Sequence, residues 1–267
     1  MLSLPLPKSY KRAFPFKLAT TSYIYPDQII PNVTLLAPFI DEIELVLFES
    51  EAQDNLLSET EIDALIKLSL HQDVSFSVHL PIDIFLGDES EEIRSKGTSI
   101  VNRMIERTLP LNPSVYILHF DLRNKDGQEE TDVETWHRRI IRSVKVMEYE
   151  IEPNRISIET LGYPLEWIED IVRRFGFSIC LDIGHILINE QDLRVYLEKY
   201  LHNTSIIHLH GFQNGIDHLG IDQLPDWDLK LILSHLRDYK GIVCIEVFSV
   251  DDLKRSLITL EEKWQRR

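Results

Sequence analysis

Apolar residues along this chain change their period repeatedly. Short runs rich in β-branched and aromatic residues alternate with longer stretches whose apolar positions recur every three or four residues. The strand-like runs are KLATTSYI (17–24), EIELVLFE (42–49), SFSVHLPI (75–82), SVYILHFD (114–121), RISIETL (155–161), FSICLDIG (177–184), IIHLHGF (206–212) and GIVCIEVF (241–248). SETEIDALIKLSL opens at Ser58 with Glu61 three residues on, the capping-box arrangement, and Thr131 with Glu134 repeats it before the helical TDVETWHRRIIRSVKVMEYE. DESEEIRSKGTSIVNRMIERTL, PLEWIEDIVRRFG, EQDLRVYLEKYL, PDWDLKLILSHLRDY and VDDLKRSLITLEEKW complete the helical set, while Pro31 weakens the first connection. Eight strands alternating with helices predict an α/β fold, a single (β/α)8 barrel, with a doubly wound open sheet as the alternative.

Side chains two apart share a strand face. Reading back from the polar residue near each strand end gives Ser77 and His79, Ile117 and His119, Ser157 and Glu159, Cys180 and Asp182, His208 and His210, Cys244 and Glu246. The other parity holds Val78, Leu118, Ile158, Leu181, Leu209 and Ile245, all apolar and suited to packing under helices. One face is therefore a core and the other converges on a site. In a barrel those C-terminal strand ends surround one mouth, where barrel enzymes keep their chemistry.

His79, His119, Glu159, Asp182, His210 and Glu246 would then share a pocket with no cationic side chain among them. Desolvating so many titratable groups is costly unless a cation holds them together. A divalent metal meets that need, and mixed His and carboxylate ligands suit Mn, Zn, Co or Fe better than Ca or Mg. Taken singly, each residue has a plainer role: a strand-end histidine is commonly just packed, and Glu159 or Glu246 alone can cap a loop. His208, placed one layer below His210, reads as a packed interior histidine rather than a ligand. Glu44 either reaches the pocket or pairs structurally. The signal lies in strands three to eight each ending in a ligand-type residue of the same parity.

Composition narrows the partners. The 267 residues are 43% hydrophobic, enough for one large core, and the net charge of −16 opposes extended contact with nucleic acid or an anionic membrane. The opening MLSLPLPKSYKRAFPF is broken by prolines, lacks the apolar run of a signal peptide and carries the only basic cluster, Lys8, Lys11 and Arg12. Residues 1–16 read as an N-terminal arm and 17–267 as the barrel domain. Cys180 and Cys244 sit inside apolar strands and read as reduced core thiols of a cytoplasmic protein. The expected partner is a small-molecule substrate, and oligomeric state is left open.

With these residues placed, the chain resembles the xylose-isomerase-like barrels, a superfamily of sugar isomerases, ketose 3-epimerases and the endonuclease IV type of apurinic-site nuclease. Glu159 in SIET, Asp182 and His185 in LDIGH, His210 in HLHGF and Glu246 in CIEVF match its metal-site motifs in order and spacing. The resemblance implies a metal held by Glu159, Asp182, His210 and Glu246, with Glu159 and Glu246 exchanging protons. The phosphodiester-cleaving branch adds histidines from strands three and four and an Asp/His pair after strand seven. His79, His119, Asp217 and His218 supply them, implying one to three ions and a catalytic set of Glu159, Glu246 and His185. Asp217 and His218 are adjacent here whereas the nuclease pattern spaces them by one residue, so DHLG reads equally well as a polar turn.

The block FPFKLATTSYIYPDQIIPNV followed by DEIELVLFES is similar, more narrowly, to the cobamide-remodelling phosphodiesterases. That resemblance implies hydrolysis of the nucleotide-loop diester of adenosylated cobamides to cobinamide phosphate and the α-riboside of the lower base. It also implies a corrinoid pocket shaped by Thr20, Thr21, Tyr23, Tyr25 and Glu44, although YIYP is equally a structural turn. Two other readings stay open: a sugar or sugar-acid isomerase or epimerase using one metal and two glutamates, and a non-catalytic corrinoid- or metal-binding barrel.

Overall fold

The computed structural model describes residues 6–47 and 56–265; the last two residues of the expected second strand, Phe48 and Glu49, lie outside them, as do 1–5 of the arm and 266–267. Eight parallel strands close into a barrel: β1 (Lys17–Thr21), β2 (Glu42–Val46), β3 (Ser75–His79), β4 (Tyr116–Leu118), β5 (Ile156–Glu159), β6 (Ser178–Asp182), β7 (Thr204–Leu209) and, after a two-stranded insertion, β10 (Ile242–Ile245), which pairs with both β7 and β1. The open-sheet alternative is thereby set aside. Helices α1 (Ile29–Leu36), α2 (Glu59–Gln72), α3 (Glu91–Thr108), α4 (Val133–Lys145), α5 (Glu169–Phe175), α6 (Ile183–Ile188), α7 (Leu193–Tyr200), α8 (Asp226–His235) and α9 (Val250–Gln265) fill the connections. None of the described helices is long and apolar enough to cross a membrane.

The two face parities separate into two cores. Val78, Leu118, Ile158, Leu181, Leu209 and Ile245 join the large apolar layer between strands and helices. Ala19, Val115, Ile117, Cys180, Ile206, Ile242 and Cys244 form a smaller cluster inside the barrel. Both cysteines are free thiols there. Below this plug, at the N-terminal strand ends, Lys17 Nζ meets buried Glu42 at 2.9 Å, and the hydroxyls of Ser75 and Ser114 donate to the same carboxylate at 2.6 and 2.8 Å. From the arm, Leu6, Tyr10 and Phe16 are buried, and Phe14 and Phe16 stack against each other, each meeting Trp264 of α9 edge-on.

Local chemistry explains most boundaries. Ser58 forms the expected capping box with Glu61. The second expected box does not form: Asp132, not Thr131, caps α4 by accepting from Thr135 N. A carboxylate one residue later is the stronger acceptor at a helix start. Pro31 is tolerated because it falls in the first turn of α1, where a helix N–H has no intrahelical acceptor to lose. Strands three to six, seven and ten end earlier than their apolar runs suggest, because pairing stops where the mouth loops begin. Past β7 the chain does not run on into a loop; β8 (Gly211–Gln213) and β9 (Ile216–Leu219) form an antiparallel hairpin beside the mouth. Gly211 makes that possible, since a Cβ there would lie 2.2 Å from the Gly220 carbonyl oxygen.

Candidate metal centre

Strand register decides which side chains meet. Asp182 of β6 pairs with His208 of β7, past a register shift at Ile179/Cys180, so His208 stands level with Asp182. Its Nδ1 lies 3.1 Å from Glu246 Oε2, 3.7 Å from Glu159 Oε1 and 3.8 Å from Asp182 Oδ2. Its Nε2 lies 2.9 Å from Glu44 Oε2, and both residues are fully buried. This corrects the expectation of a merely packed histidine one layer down.

The contact with Glu246 is close but out of hydrogen-bond line, leaving His208 Nδ1 and Glu246 Oε2 without hydrogen-bond partners. Glu44 Oε1 is also without one. If Nε2–H donates to Glu44, the Nδ1 lone pair faces three carboxylates, a repulsive arrangement unless a proton or a metal ion lies between them. The donor set fits such an ion, since neutral imidazole and carboxylate oxygens suit borderline divalent metals.

A second set centres on the other oxygen of Glu159. Oε2 lies 3.2 Å from His79 Nε2 and 2.9 Å from His119 Nε2, while Oε1 faces His185 Nδ1 at 3.5 Å. His79 is pinned from behind, its Nδ1 lying 2.8 Å from the Leu80 carbonyl, so Nε2 is the atom it offers to the site. Burial alone would lower the His79 pKa, but the hydrogen bond and charge of Glu159, with Glu44 and Glu246 behind it, outweigh that and raise it to about 9. Burial likewise works against ionised Glu159 and Glu246. The imidazoles win, chiefly His119 and His208 for Glu159 and His208 for Glu246, and hold both carboxyls well below their usual range.

His185 enters through α6. This one-and-a-half-turn helix begins directly after β6, with Asp182 as its cap accepting from His185 N at 2.7 Å. Gly184 contributes space rather than a turn, because a Cβ there would lie 2.0 Å from His210 Cε1. His210 is held as His79 is: Nε2 lies 3.1 Å from Asp182 Oδ1, while Nδ1 lies 3.1 Å from the Gly211 carbonyl and is met at 3.0 Å by the backbone N–H of His218. His218 is carried there by the β8–β9 hairpin, at a left-handed φ of 51° that costs a non-glycine residue about 1 kcal/mol or more. Its ring lies against that of His210, centroids 4.2 Å apart and planes tilted by 31°, and its Nδ1 lies 3.5 Å from Glu246 Oε2.

Five triads can each bring ligand atoms within 4.8 Å of one another: Glu44–His208–Glu246, Asp182–His210–Glu246, His79–Glu159–His208, Glu159–Asp182–His185 and His185–His210–His218. They overlap in one continuous cluster, with Glu159 Oε2 also contacting His119. Asp217 stays outside these triads: its side chain is half exposed and sits 3.9 Å from His218 Nε2, because adjacent residues on a strand point to opposite faces. The cluster floors a cavity of about 770 Å³ whose walls include Leu122, Arg123, Leu161, Tyr163, Trp167 and Phe248.

The family model for the xylose isomerase-like TIM barrel matches residues 40–266. The chain belongs to this family. Solved structures with the same fold include a D-tagatose 3-epimerase-like protein (TM-score 0.76, 20% identity, covering 93% of this chain and 97% of that one). D-psicose 3-epimerase in the presence of D-fructose aligns with TM-score 0.69 at 14% identity, covering 93% and 99% of the two chains. Endonuclease IV from Thermus thermophilus aligns with TM-score 0.65 at 14% identity, covering 92% and 99%. A comparison with curated protein sequences finds no match. At these identities the structural likeness shows the fold, and the chemistry rests on the site.

The residues expected to shape a corrinoid pocket are placed elsewhere. The hydroxyls of Thr20 and Thr21 donate at 2.9 Å to the carbonyls of Ile245 and Val247, stitching β1 to the chain at β10. Tyr25 packs half-buried against the outer core, and Tyr23 is exposed away from the cavity lining. Glu44 lies beneath the cavity rather than on its wall, holding His208. Sequence reasoning missed His208 as a donor; the one usable signal was that it has the same inward parity as His210.

Proposed function

We propose that this protein is a metal-dependent phosphodiesterase acting on a small-molecule diester, an adenosylated cobamide being the substrate to test first. The observation that carries the hydrolase reading is the bracketing of Glu159. Two histidines approach one of its oxygens and two approach the other, so one carboxylate serves two neighbouring donor sets. A one-metal proton exchange between two glutamates has no use for His79 and His119. The cobamide assignment rests on the resemblance in the N-terminal block together with a cavity larger than a six-carbon sugar requires.

His79, His119, Glu159, Asp182, His208, His210 and Glu246 would hold the metal, with His185 and His218 at the rim. Bound there, divalent ions supply Lewis acidity and charge neutralisation for phosphodiester cleavage. The protein's own part is positional and protolytic. Glu44 fixes the ring of His208, and the Leu80 carbonyl fixes that of His79. Glu159 and Glu246, both ionised, are placed to accept a proton from an attacking water. In the metal-free protein His185 has a raised pKa: burial opposes the charge, but Asp182 and Glu159 outweigh it. Part-exposed at the mouth, it is placed to return a proton to the leaving oxygen.

A sugar isomerase or epimerase is the second reading, favoured by the named epimerases that share the fold and by Glu159 and Glu246 both facing His208 Nδ1. Incubating Mn-, Zn-, Co- and Fe-loaded protein with an adenosylcobamide and following cobinamide phosphate by mass spectrometry separates the readings. Release of cobinamide phosphate with a stoichiometric riboside supports the phosphodiesterase. Intact cobamide under every metal, alongside solvent exchange of a ketose C3 proton, replaces it with the epimerase. Neither reaction, with tight metal or corrinoid binding, leaves a non-catalytic barrel.

A further inference from the structure

One wall of the cavity above the metal-binding floor carries an aromatic ladder whose two inner rings, Trp136 and Tyr163, belong to the outer core and whose third, Trp167, does not. Trp136, fully buried, donates its indole N–H to the Asp121 carbonyl at 3.0 Å and meets Tyr163 edge-on at 5.2 Å. Tyr163 is buried, donates its hydroxyl to the Phe120 carbonyl at 2.7 Å and stacks on Trp167 with ring centroids 5.8 Å apart and planes 7° apart. Trp167, at the end of a 3-10 turn over Leu165–Trp167, keeps 36% of its surface exposed and borders the cavity. Two hydrogen-bonded rings thus hold a third rigidly at the mouth. A fixed, part-exposed indole beside a polar catalytic floor loses little conformational freedom when a flat group stacks on it.

We infer that Trp167, backed by Tyr163, is a stacking platform for a planar aromatic ring of the substrate, of the nucleobase or benzimidazole class. The neighbouring wall favours an aromatic ring over a sugar. Leu161, Pro164 and Leu122 are apolar, and the polar pair beside them is already engaged: Asp121 accepts from Arg123 Nε and Nη2 at 3.1 and 2.9 Å. A sugar presents a fringe of hydroxyls that this wall would leave poorly bonded, whereas an aromatic face asks only for area and a parallel partner. The assignment deepens the phosphodiesterase reading and rests on it for the identity of the substrate, since it would put the aromatic end of a diester on the wall and its phosphate over the floor.

The test uses metal-loaded full-length protein with benzimidazole and adenosine as probes and ribose as comparator, by calorimetric titration, in wild type, W167L and W167F. Benzimidazole and adenosine are expected to bind better than ribose, to weaken roughly 5- to 100-fold in W167L and to recover most of that in W167F. Metal stoichiometry and melting temperature should stay at wild-type values, because Trp167 lies outside both the donor cluster and the buried core. Equal probe affinity in wild type and W167L, or ribose binding as well as benzimidazole, overturns the platform. Diester hydrolysis is scored separately. Trp167-dependent binding without hydrolysis sinks the phosphodiesterase and leaves the platform. Hydrolysis of an aromatic diester with KM unchanged in W167L does the reverse.

Discussion

At the N-terminal end of the barrel, buried Glu42 meets the ammonium of Lys17 and two serine hydroxyls; at the C-terminal end Glu44, Glu159, Asp182 and Glu246 meet imidazoles, with one backbone N–H on Asp182 and no Lys or Arg. Both ends bury carboxylate, which costs several kcal/mol per ion unless compensated. The lower end carries a permanent cation in its sequence, Lys17, and only Glu42 Oε1 is left there without a hydrogen bond. The upper end has only histidines, whose charge depends on pH, and it leaves Glu44 Oε1, His208 Nδ1 and Glu246 Oε2 without hydrogen bonds. The contrast is between a carboxylate already paired with a permanent cation and a group of carboxylates that has none, at the face where barrel chemistry is placed.

The sharpest way to break that contrast is to alter charge at the upper end without altering shape. Replacing Glu159 or Glu246 with Gln should lower kcat on the diester by about 10³-fold or more, with the fold retained by circular dichroism. Normal turnover in either variant would show that the cluster is not the site. Next comes the β7 donor. His208→Ala should lower metal affinity, since its Nδ1 faces three carboxylates with no hydrogen bond of its own, and His210→Ala should lower it too, because Nε2 faces Asp182 as His79 Nε2 faces Glu159. Glu44→Gln should cost roughly 10- to 100-fold in metal affinity by loosening the His208 ring, read by competition with a chelating dye. Unchanged metal affinity in His208→Ala would return His208 to the role of a packed interior histidine.

At the lower end, Lys17→Met should leave Glu42 with its serines but no cation, costing about 1–3 kcal/mol of stability in urea unfolding with metal affinity unchanged. The two ends should also differ in their response to pH. His79 has its pKa raised from 6.5 to about 9, so its pairing with Glu159 stabilises the metal-free protein fully below pH 6.5 and is lost as pH climbs through 9. The melting temperature of metal-free protein should therefore fall over that interval while metal affinity rises, because ions and protons compete for the same atoms. A metal-free melting temperature that rises from pH 6.5 to 9 would contradict this pairing.

What the sequence disclosed followed from how local each feature is. Parity is a property of one strand, so the outer set from Val78 to Ile245 and the inward histidines and acids were legible without any partner in view. Register belongs to two strands at once, and the shift at Ile179/Cys180 that brings His208 level with Asp182 leaves no mark on β7 itself. Thr20 and Thr21 look like mouth residues until the carbonyls of Ile245 and Val247 that take their hydroxyls are placed. The hairpin after β7 was hidden for a similar reason, since Gly211 and Gly220 signal it only through their contact with each other.

That hairpin carries the smallest expected effect. His218 and Asp217 are neighbours in sequence, yet the strand geometry of β9 turns His218 onto His210 and Glu246 and leaves Asp217 half exposed at the cavity edge. His218→Ala should therefore reduce the number of ions bound, or weaken the last of them, by removing one corner of the His185–His210–His218 triad. Asp217→Asn should leave both stoichiometry and kcat within about twofold of wild type, as expected for a part-exposed side chain outside the donor set. Metal counting by mass spectrometry on the two variants decides it. Equal losses in both would mean that the hairpin reshapes when metal binds and that Asp217 swings in to become a ligand after all.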